Sequence, residues 1–477
     1  MKVSLASTSV HTKSATEAIS DLDPNAADVL ITSVLTSMVT DIGVVTPTAS
    51  GLLTYHDGER NKTHTIDGYF VAPKKFEGND HEQHKISMTY GGHVETCKGG
   101  NTFAVPGIYK ILDHIYNNYA SIPLKVLFEY PISIARNGFF ITQTTKDYFI
   151  HSLEPLFSWH PESRKTLNSL ITDGLDKGTV RFDQLGDTYS HMSINGFNDF
   201  YKGNIAKELV ETIKEEGGHV TFDDLDQYSL IPDSKFKIDY RDLTLIGHKG
   251  PSIGSLMVLN YLNTYLDNPN NIEKELQDTY LYRKNKLETF YDRQSIVANN
   301  IDKLQSSPST IQVNTSDESN NHFSITFSSG YGSGVQCKRT GMYLNNSLGE
   351  IELNPQGFLG ETNNDRLISN MSPMIVMNTD QISTIGSPGA DRISTAIAQV
   401  IFKYMETNNW DAAIRNPRYH VNGDGSVRTE PGVDIRFKDS FVTEEFDMYF
   451  GGVCVTGLSS EVFAYGDPRR GEISWKN

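Results

Sequence analysis

The residues with the most chemical potential lie in the second half of the chain. Thr315, Ser316 and Ser319 put three hydroxyls into a polar, turn-rich stretch, residues 303–321, which runs on into Asn320-Asn321-His322-Phe323-Ser324. A hydroxyl becomes a nucleophile only with a base beside it. In a polar loop it is otherwise a solvated side chain. Further on, Gly386-Ser387-Pro388-Gly389-Ala390 leads into an apolar-periodic run that starts near Asp391. That order would put the Gly389 and Ala390 N–H groups at a helix N-terminus, a place that stabilises negative charge. The same residues also make an ordinary Gly-Pro turn and helix cap. Glu350 and the pair Ser369-Asn370 add polar groups that could meet a ligand, or stand in solvated loops.

Other chemistries have less support. His81-Glu82-Gln83-His84 lacks the spacing of a His-Glu-x-x-His metal site, and the 14 histidines show no cluster with metal-ligand spacing. Gly330-Tyr331-Gly332-Ser333-Gly334 is glycine-rich, but no lysine follows at the spacing of a phosphate loop. Tight backbone packing beside a pocket explains it better. Cys97, Cys337 and Cys454 form neither a disulfide framework nor a zinc pattern, and they read as free thiols in a reducing compartment. The expectation is no metal and no cofactor.

Composition sets the outer limits. With 477 residues, 38% of them hydrophobic and 21% charged, the chain can bury a sizeable core. A formal charge of −17 argues against a nucleic-acid partner and against anionic membrane surfaces. No 18-residue apolar run and no apolar leader segment are present, so the expectation is a cytoplasmic protein without membrane association.

The elements that must position these residues follow from periodicity. Residues 25–41 carry apolar positions at helical spacing and read as a buried helix; Leu52 to Tyr55 and Thr63 to Ala72 read as strands around an Asp57-Gly58 turn. Residues 74–96 read as polar loop, and 151–230 as mostly helical. Strands fit 235–240 and 243–247, followed by a helix over 253–266. The hydrophobic pattern lapses over 303–321. Beyond it come strands at 322–328, 341–344, 374–377 and 382–385, then a helix over 391–405. Strands and helices in both halves point to a layered α/β protein.

Several ordered blocks resemble the gamma-glutamyltransferase family of N-terminal-nucleophile hydrolases. They are Asp23 to Gly51, Val105-Pro106-Gly107, Ser133 to Gly138, Gly203 to Ala206 and Gly217 to Tyr228, then Ser329 to Val335, Leu344 to Glu350, Arg366 to Pro373 and Gly386 to Ile393. Asn416 to His420 and Gly466 to Arg470 complete the set. The resemblance implies a four-layer αββα sandwich. It also implies two subunit-like regions, 1–319 and 320–477, forming one intertwined globular domain. Family members cut their own chain before a Thr-Thr-His-x-Ser segment, and the freed threonine is the nucleophile. Aligned on His322-x-Ser324, that segment puts Asn320 at the nucleophile position and Asn321 after it. A carboxamide can form neither the ester of self-cleavage nor an acyl-enzyme. Ser319 is the substitute one residue away.

The resemblance assigns other roles and exposes other departures. Gly389 and Ala390 match the oxyanion-hole pair, Ser369 and Asn370 a Ser-Ser pair that touches substrate, and Glu350 the acid that holds the substrate amine. Tyr69 falls where typical members carry an arginine for the α-carboxylate of a γ-glutamyl group, and a tyrosine lacks the charge and fork for that task. The Val-Asp-x-x-Gly hairpin that usually follows His-x-Ser looks absent, with about ten residues missing on this alignment. The resulting expectation is an unprocessed relative without normal transferase or hydrolase turnover, which binds a small amino-acid-like or peptide ligand. Two alternatives stay open. One is an active divergent amide hydrolase or acyltransferase using Ser319 or another group. The other is a structural partner of an active paralogue, or a homo-oligomer.

Overall fold

The computed structural model describes residues 1–74, 84–89, 94–250, 252–267, 272–282, 310–350, 366–422, 424–433, 437 and 440–477. The elements that matter here run in chain order as β1 (Val3–Ser7), α1 (Ala26–Thr40), β2 (Ser50–Asp57), β3 (Lys62–Gly68), α2 (Ile108–Tyr119) and β4 (Ile231–Pro232). Then come β5 (Lys235–Tyr240), β6 (Leu243–His248), α3 (Gly254–Asp267), β7 (Ile311–Asp317) and β8 (His322–Ser328). The chain closes with β9 (Met374–Met377), β10 (Ile382–Gly386), α4 (Arg392–Thr407), β11 (Cys454–Leu458), β12 (Val462–Tyr465) and β13 (Ile473–Lys476).

Two sheets form the centre. One has the order β13-β1-β7-β8-β2-β3-β4, the other β12-β11-β10-β9-β6-β5. α1 and α2 cover the first sheet, α3 and α4 the second, giving an αββα sandwich. Strands from either side of residue 319 are hydrogen-bonded together in both sheets. Residues 319 and 320 themselves lie in the turn of the β7–β8 hairpin.

α1 shows how local sequence sets this frame. The Asn25 side chain accepts from the Ala27 and Asp28 N–H groups, while Asp28 reaches back to the Asn25 N–H, a capping box that satisfies orphan donors. Every residue of α1 is buried. An all-round buried helix needs its polar groups bonded internally, and Thr36 and Ser37 donate to carbonyls four residues back.

Pleating divides β7 and β8 cleanly. Ile311, Val313, Phe323, Ile325 and Phe327 join the core under the helices. The alternate residues, Gln312, Asn314, Ser316, Ser324 and Thr326, turn toward the second sheet. That layer is polar and fully buried.

Four sequence expectations fail here. The lapse expected over 303–321 holds strand β7 from residue 311 onward; 303–309 lie outside the described residues. Its Ser/Thr/Asn content hid a period-two pattern, because the buried face packs a polar inter-sheet layer rather than an oily one. The hairpin that looked absent is present as β7–β8. Within 74–96, Lys85–Met88 pairs with Val94–Cys97, and 341–344 makes only a single bridge, Gln336 to Tyr343.

Asn25→Ala should destabilise the fold by about 1 kcal/mol, the usual worth of an N-cap. Urea unfolding of both proteins checks this, and an unchanged midpoint would contradict it.

Candidate active site

The two ends of the β7–β8 hairpin have different chemistry. Asn320 sits in its turn, with a left-handed φ of 64°. The Asn320 N–H donates to the Asp317 carbonyl at 3.1 Å, and its Oδ1 lies 2.7 Å from His322 Nε2. Asp317 Oδ1 also takes the Ser319 and Asn321 N–H groups, each at 3.0 Å. Ser319 is exposed at the turn. Asn320 therefore does not start a strand, and the expectation that it holds the nucleophile position fails. The alignment slipped by one hairpin: Asp317 to Asn320 are the turn, with Asn320 where the Val-Asp-x-x-Gly pattern has its glycine. A left-handed turn residue explains that preference, since Asn tolerates such a φ better than most residues.

At the opposite end, Thr310 stands directly before β7 and is 5% exposed. Asp317 lies seven residue steps further along the strand, about 23 Å at the usual rise. The sheets are in register along this length. Ser316 Oγ lies 2.8 Å from Thr456 Oγ1, Asn314 Nδ2 donates to the Cys454 carbonyl at 2.6 Å, and Gln312 abuts Gly386. One more alternation step turns the Thr310 side chain to the same face, toward the segment that follows Gly386.

That segment is Ser387-Pro388-Gly389-Ala390. Gly389 and Ala390 have φ values of 129° and 52°. Among the described residues, neither N–H is donated to a protein acceptor. Successive N–H groups in such a turn form an anion-binding concavity. A left-handed alanine costs about 1–2 kcal/mol, a cost tolerated where the surroundings over-determine the backbone. Here Arg392 N–H bonds the Gly389 carbonyl at 2.9 Å, and the Gly452 N–H bonds Ser387 Oγ at 3.0 Å. α4 starts at once, adding its N-terminal dipole.

The ligand-facing candidates gather at this same end. Tyr69 is buried with its hydroxyl bonded to Ser347 and Ser369 and with Glu350 nearby; burial and the Glu350 charge push its phenol well above the usual range. Glu350 lies against Gly330, where a Cβ would fall 2.9 Å from Oε1 and 2.3 Å from Asn346 Oδ1. With φ at 66°, that position demands glycine. Asn370 is 6% exposed, and its Oδ1 has no partner among the described residues. Residues 366–373 lead into β9, whose Met374 pairs with Ile385 of β10, so this loop and the Gly389 loop leave the second sheet together. The structure thus groups Tyr69, Glu350 and Ser369, places Gly389 and Ala390 at the same end, and sends Ser319 and Asn320 to the other. His81 to Gln83 lie outside the described residues. Among those described, no group of three His, Cys, Asp or Glu residues is placed to hold a metal.

The sequence reading does not single out Thr310, or the carboxamides that tie together the loops near Glu350. Asn346 accepts from the Tyr331 N–H at 2.7 Å, and Asn345 bridges the Thr48 and Ala104 carbonyls. The missed signal was the alternation Thr310-Ile311-Gln312-Val313-Asn314 leading to an Asp-x-x-Asn turn.

Two stacked sheets with helices outside make an αββα sandwich of the N-terminal-nucleophile hydrolase type, with buried Thr310 leading one strand of the first sheet. The chain belongs to the gamma-glutamyltranspeptidase family, whose model matches residues 21–290 and 270–474. It is 24% identical over 450 residues to the glutathione hydrolase proenzyme of Bacillus subtilis subsp. natto, covering 80% of this chain and 74% of that protein. It is 22% identical to the glutathione hydrolase proenzyme of Escherichia coli K12, over 86% of this chain and 81% of that one. The solved structure of cephalosporin acylase from Bacillus halodurans superposes with a TM-score of 0.78 at 18% identity, covering 100% of this chain and 95% of that chain. That likeness concerns the fold.

Buried ionisable groups give this frame a signed pH response. Burial lowers His248 to about 4; burial, with the charge of His56, lowers His322 to about 3. Both stay neutral when folded and gain protons below 6.5 only when unfolded, so their contribution is lost as pH falls from 6.5 toward 4. Asp41 is raised to about 6, chiefly by burial and against bonds from Ser9 and Thr40 and the Arg470 charge. It binds its proton earlier in the folded state, so it contributes oppositely between 6 and 3.8. Over their full shifts His248 and Asp41 are each worth about 3 kcal/mol and His322 about 5, and two histidines outweigh one aspartate. Urea midpoints should therefore be lower at pH 5 than at pH 7, and Asp41→Asn should steepen the fall. A higher midpoint at pH 5 would contradict this.

Proposed function

We propose that this chain is a self-processing amide hydrolase or acyltransferase with Thr310 as its nucleophile. The observation that carries the reading is the position of Thr310: first residue before β7, buried, two residues before Gln312, which abuts Gly386 at the root of the Gly389–Ala390 turn; strand alternation puts the Thr310 and Gln312 side chains on one face. The name proenzyme borne by the two bacterial relatives supports a processing step.

The chemistry follows from that placement. Thr310 Oγ attacks the carbonyl of residue 309, and the peptide C–N bond breaks as an ester forms. Water cleaves the ester, releasing a carboxylate at residue 309 and a free amine on Thr310. That amine is then the base for the hydroxyl beside it. In turnover, Oγ attacks the substrate amide, and negative charge grows on its carbonyl oxygen. The Gly389 and Ala390 N–H groups are fixed donors for that charge, an arrangement typically worth a factor of 100 or more per donor. The leaving amine takes the proton. Water or a second amine then accepts the acyl group, giving hydrolysis or transfer. Tyr69, Glu350, Ser369 and Asn370 would hold a small amino-acid-like or peptide acyl group. Tyr69 brings no positive charge to that end, which disfavours a γ-glutamyl donor.

The expectation of an unprocessed, ligand-binding relative rested on Asn320 standing at the nucleophile position, and the turn geometry of Asn320 leaves that reading without its basis.

Nitroaniline release from γ-glutamyl and glutaryl 4-nitroanilides tests the assignment. Thr310→Ala should abolish release, a loss on the order of a thousandfold or more, while Ser319→Ala and Asn320→Ala should stay within about twofold of the parent. Unchanged release in Thr310→Ala, or loss in Ser319→Ala, would overturn it.

A further inference from the structure

We infer that Gln312 is a positioning residue that sets the distance between the Thr310 hydroxyl and the Gly389–Ala390 concavity; this rests on the assignment of Thr310. Gln312 is fully buried two residues after Thr310, on the same strand face. Its Nε2 donates to Asn314 Oδ1 at 2.6 Å and to Ser324 Oγ at 3.0 Å, and its Oε1 accepts from Thr326 Oγ1. Its backbone is held as firmly: its N–H donates to Thr8 Oγ1 at 3.0 Å, and its carbonyl accepts the Thr8 N–H at 3.1 Å. Ser324 Oγ continues the network to the Ile385 carbonyl at 3.1 Å, and Asn314 Nδ2 continues it to the Cys454 carbonyl at 2.6 Å.

The network therefore ends on the second sheet, on the Ile385 carbonyl of β10 and the Cys454 carbonyl of its β11 neighbour. Gly386 closes it sterically: a Cβ there would fall 2.3 Å from Gln312 Cδ and Nε2. The Gly389–Ala390 turn begins three residues later. One neutral carboxamide thus bonds the nucleophile's strand, abuts the root of the oxyanion loop and occupies the space a side chain at 386 would need. A neutral amide can do this without adding a charge beside the Thr310 amine. A shift of about 1 Å between nucleophile and oxyanion donors is enough to cost roughly a hundredfold in rate.

Filling space and holding position can be separated. Gln312→Ala leaves a gap, and the double variant Gln312→Ala/Gly386→Ala puts a methyl group back into it. Both are followed by intact mass for self-cleavage, by anilide kinetics on processed protein, and by thermal unfolding. The expected result is that Gln312→Ala slows self-cleavage and lowers kcat about a hundredfold with KM within about threefold. The double variant should recover melting temperature without recovering either rate. Recovery of both rates in the double variant, or parent rates in a folded Gln312→Ala, would overturn the inference. If Gln312→Ala does not fold, Gln312→Met, close to it in volume, gives the same reading. A parent protein that never cleaves would overturn the Thr310 assignment and this inference together, and is told apart because the parent control fails.

Discussion

The structure depends on a polar layer between its two sheets. Most stacked sheets meet through apolar side chains. Here Gln312, Asn314, Ser316, Ser324, Thr326, Thr384 and Thr456 meet instead, all fully buried. Such groups are costly unless bonded, and bonded they fix geometry more sharply than an oily contact can. Each rung requires one register: Ser316 with Thr456, Asn314 with Cys454, Gln312 with Gly386. A one-residue slip would turn this whole set under the helices. The layer thus converts sheet stacking into placement of the residues at its end.

Placement is what the proposed chemistry needs. In that proposal Thr310 would bring both nucleophile and, once freed, base, so no third side chain need be recruited. The proposed oxyanion donors are main-chain N–H groups, held by a strained turn and the start of α4. Both are backbone features, positioned by sheet register rather than by side-chain choice. Side-chain choice remains at the ligand end, where Tyr69 and Glu350 are packed together and Asn370 keeps a buried oxygen open.

Much of this was legible in the sequence, and the failures share one cause. Ordered blocks gave the family and its layered fold, and the Gly-Ala turn before Asp391 and the helix after it were read correctly in position. Tyr69, Glu350 and Ser369 were chosen from separate segments, and the structure packs them together. Asn320 was misread because His322-x-Ser324 repeats on β8 the spacing expected on β7. The polar inter-sheet face makes β7 read as loop, which hides the hairpin and makes its turn read as a strand start. Periodicity detects a strand by its apolar face. A strand with Ile311 and Val313 on one face and Gln312 and Asn314 on the other shows that signal only weakly. The left-handed φ of Asn320, which settles its role as turn, is not visible in the sequence.

The central claim is that the chain opens immediately before Thr310. N-terminal sequencing of freshly purified protein, held for days at its working temperature and resolved by mass, tests it most directly. The account predicts two associated fragments, the smaller beginning Thr310-Ile311-Gln312. A single uncleaved chain, or a new N-terminus at residue 319 or 320, would contradict it.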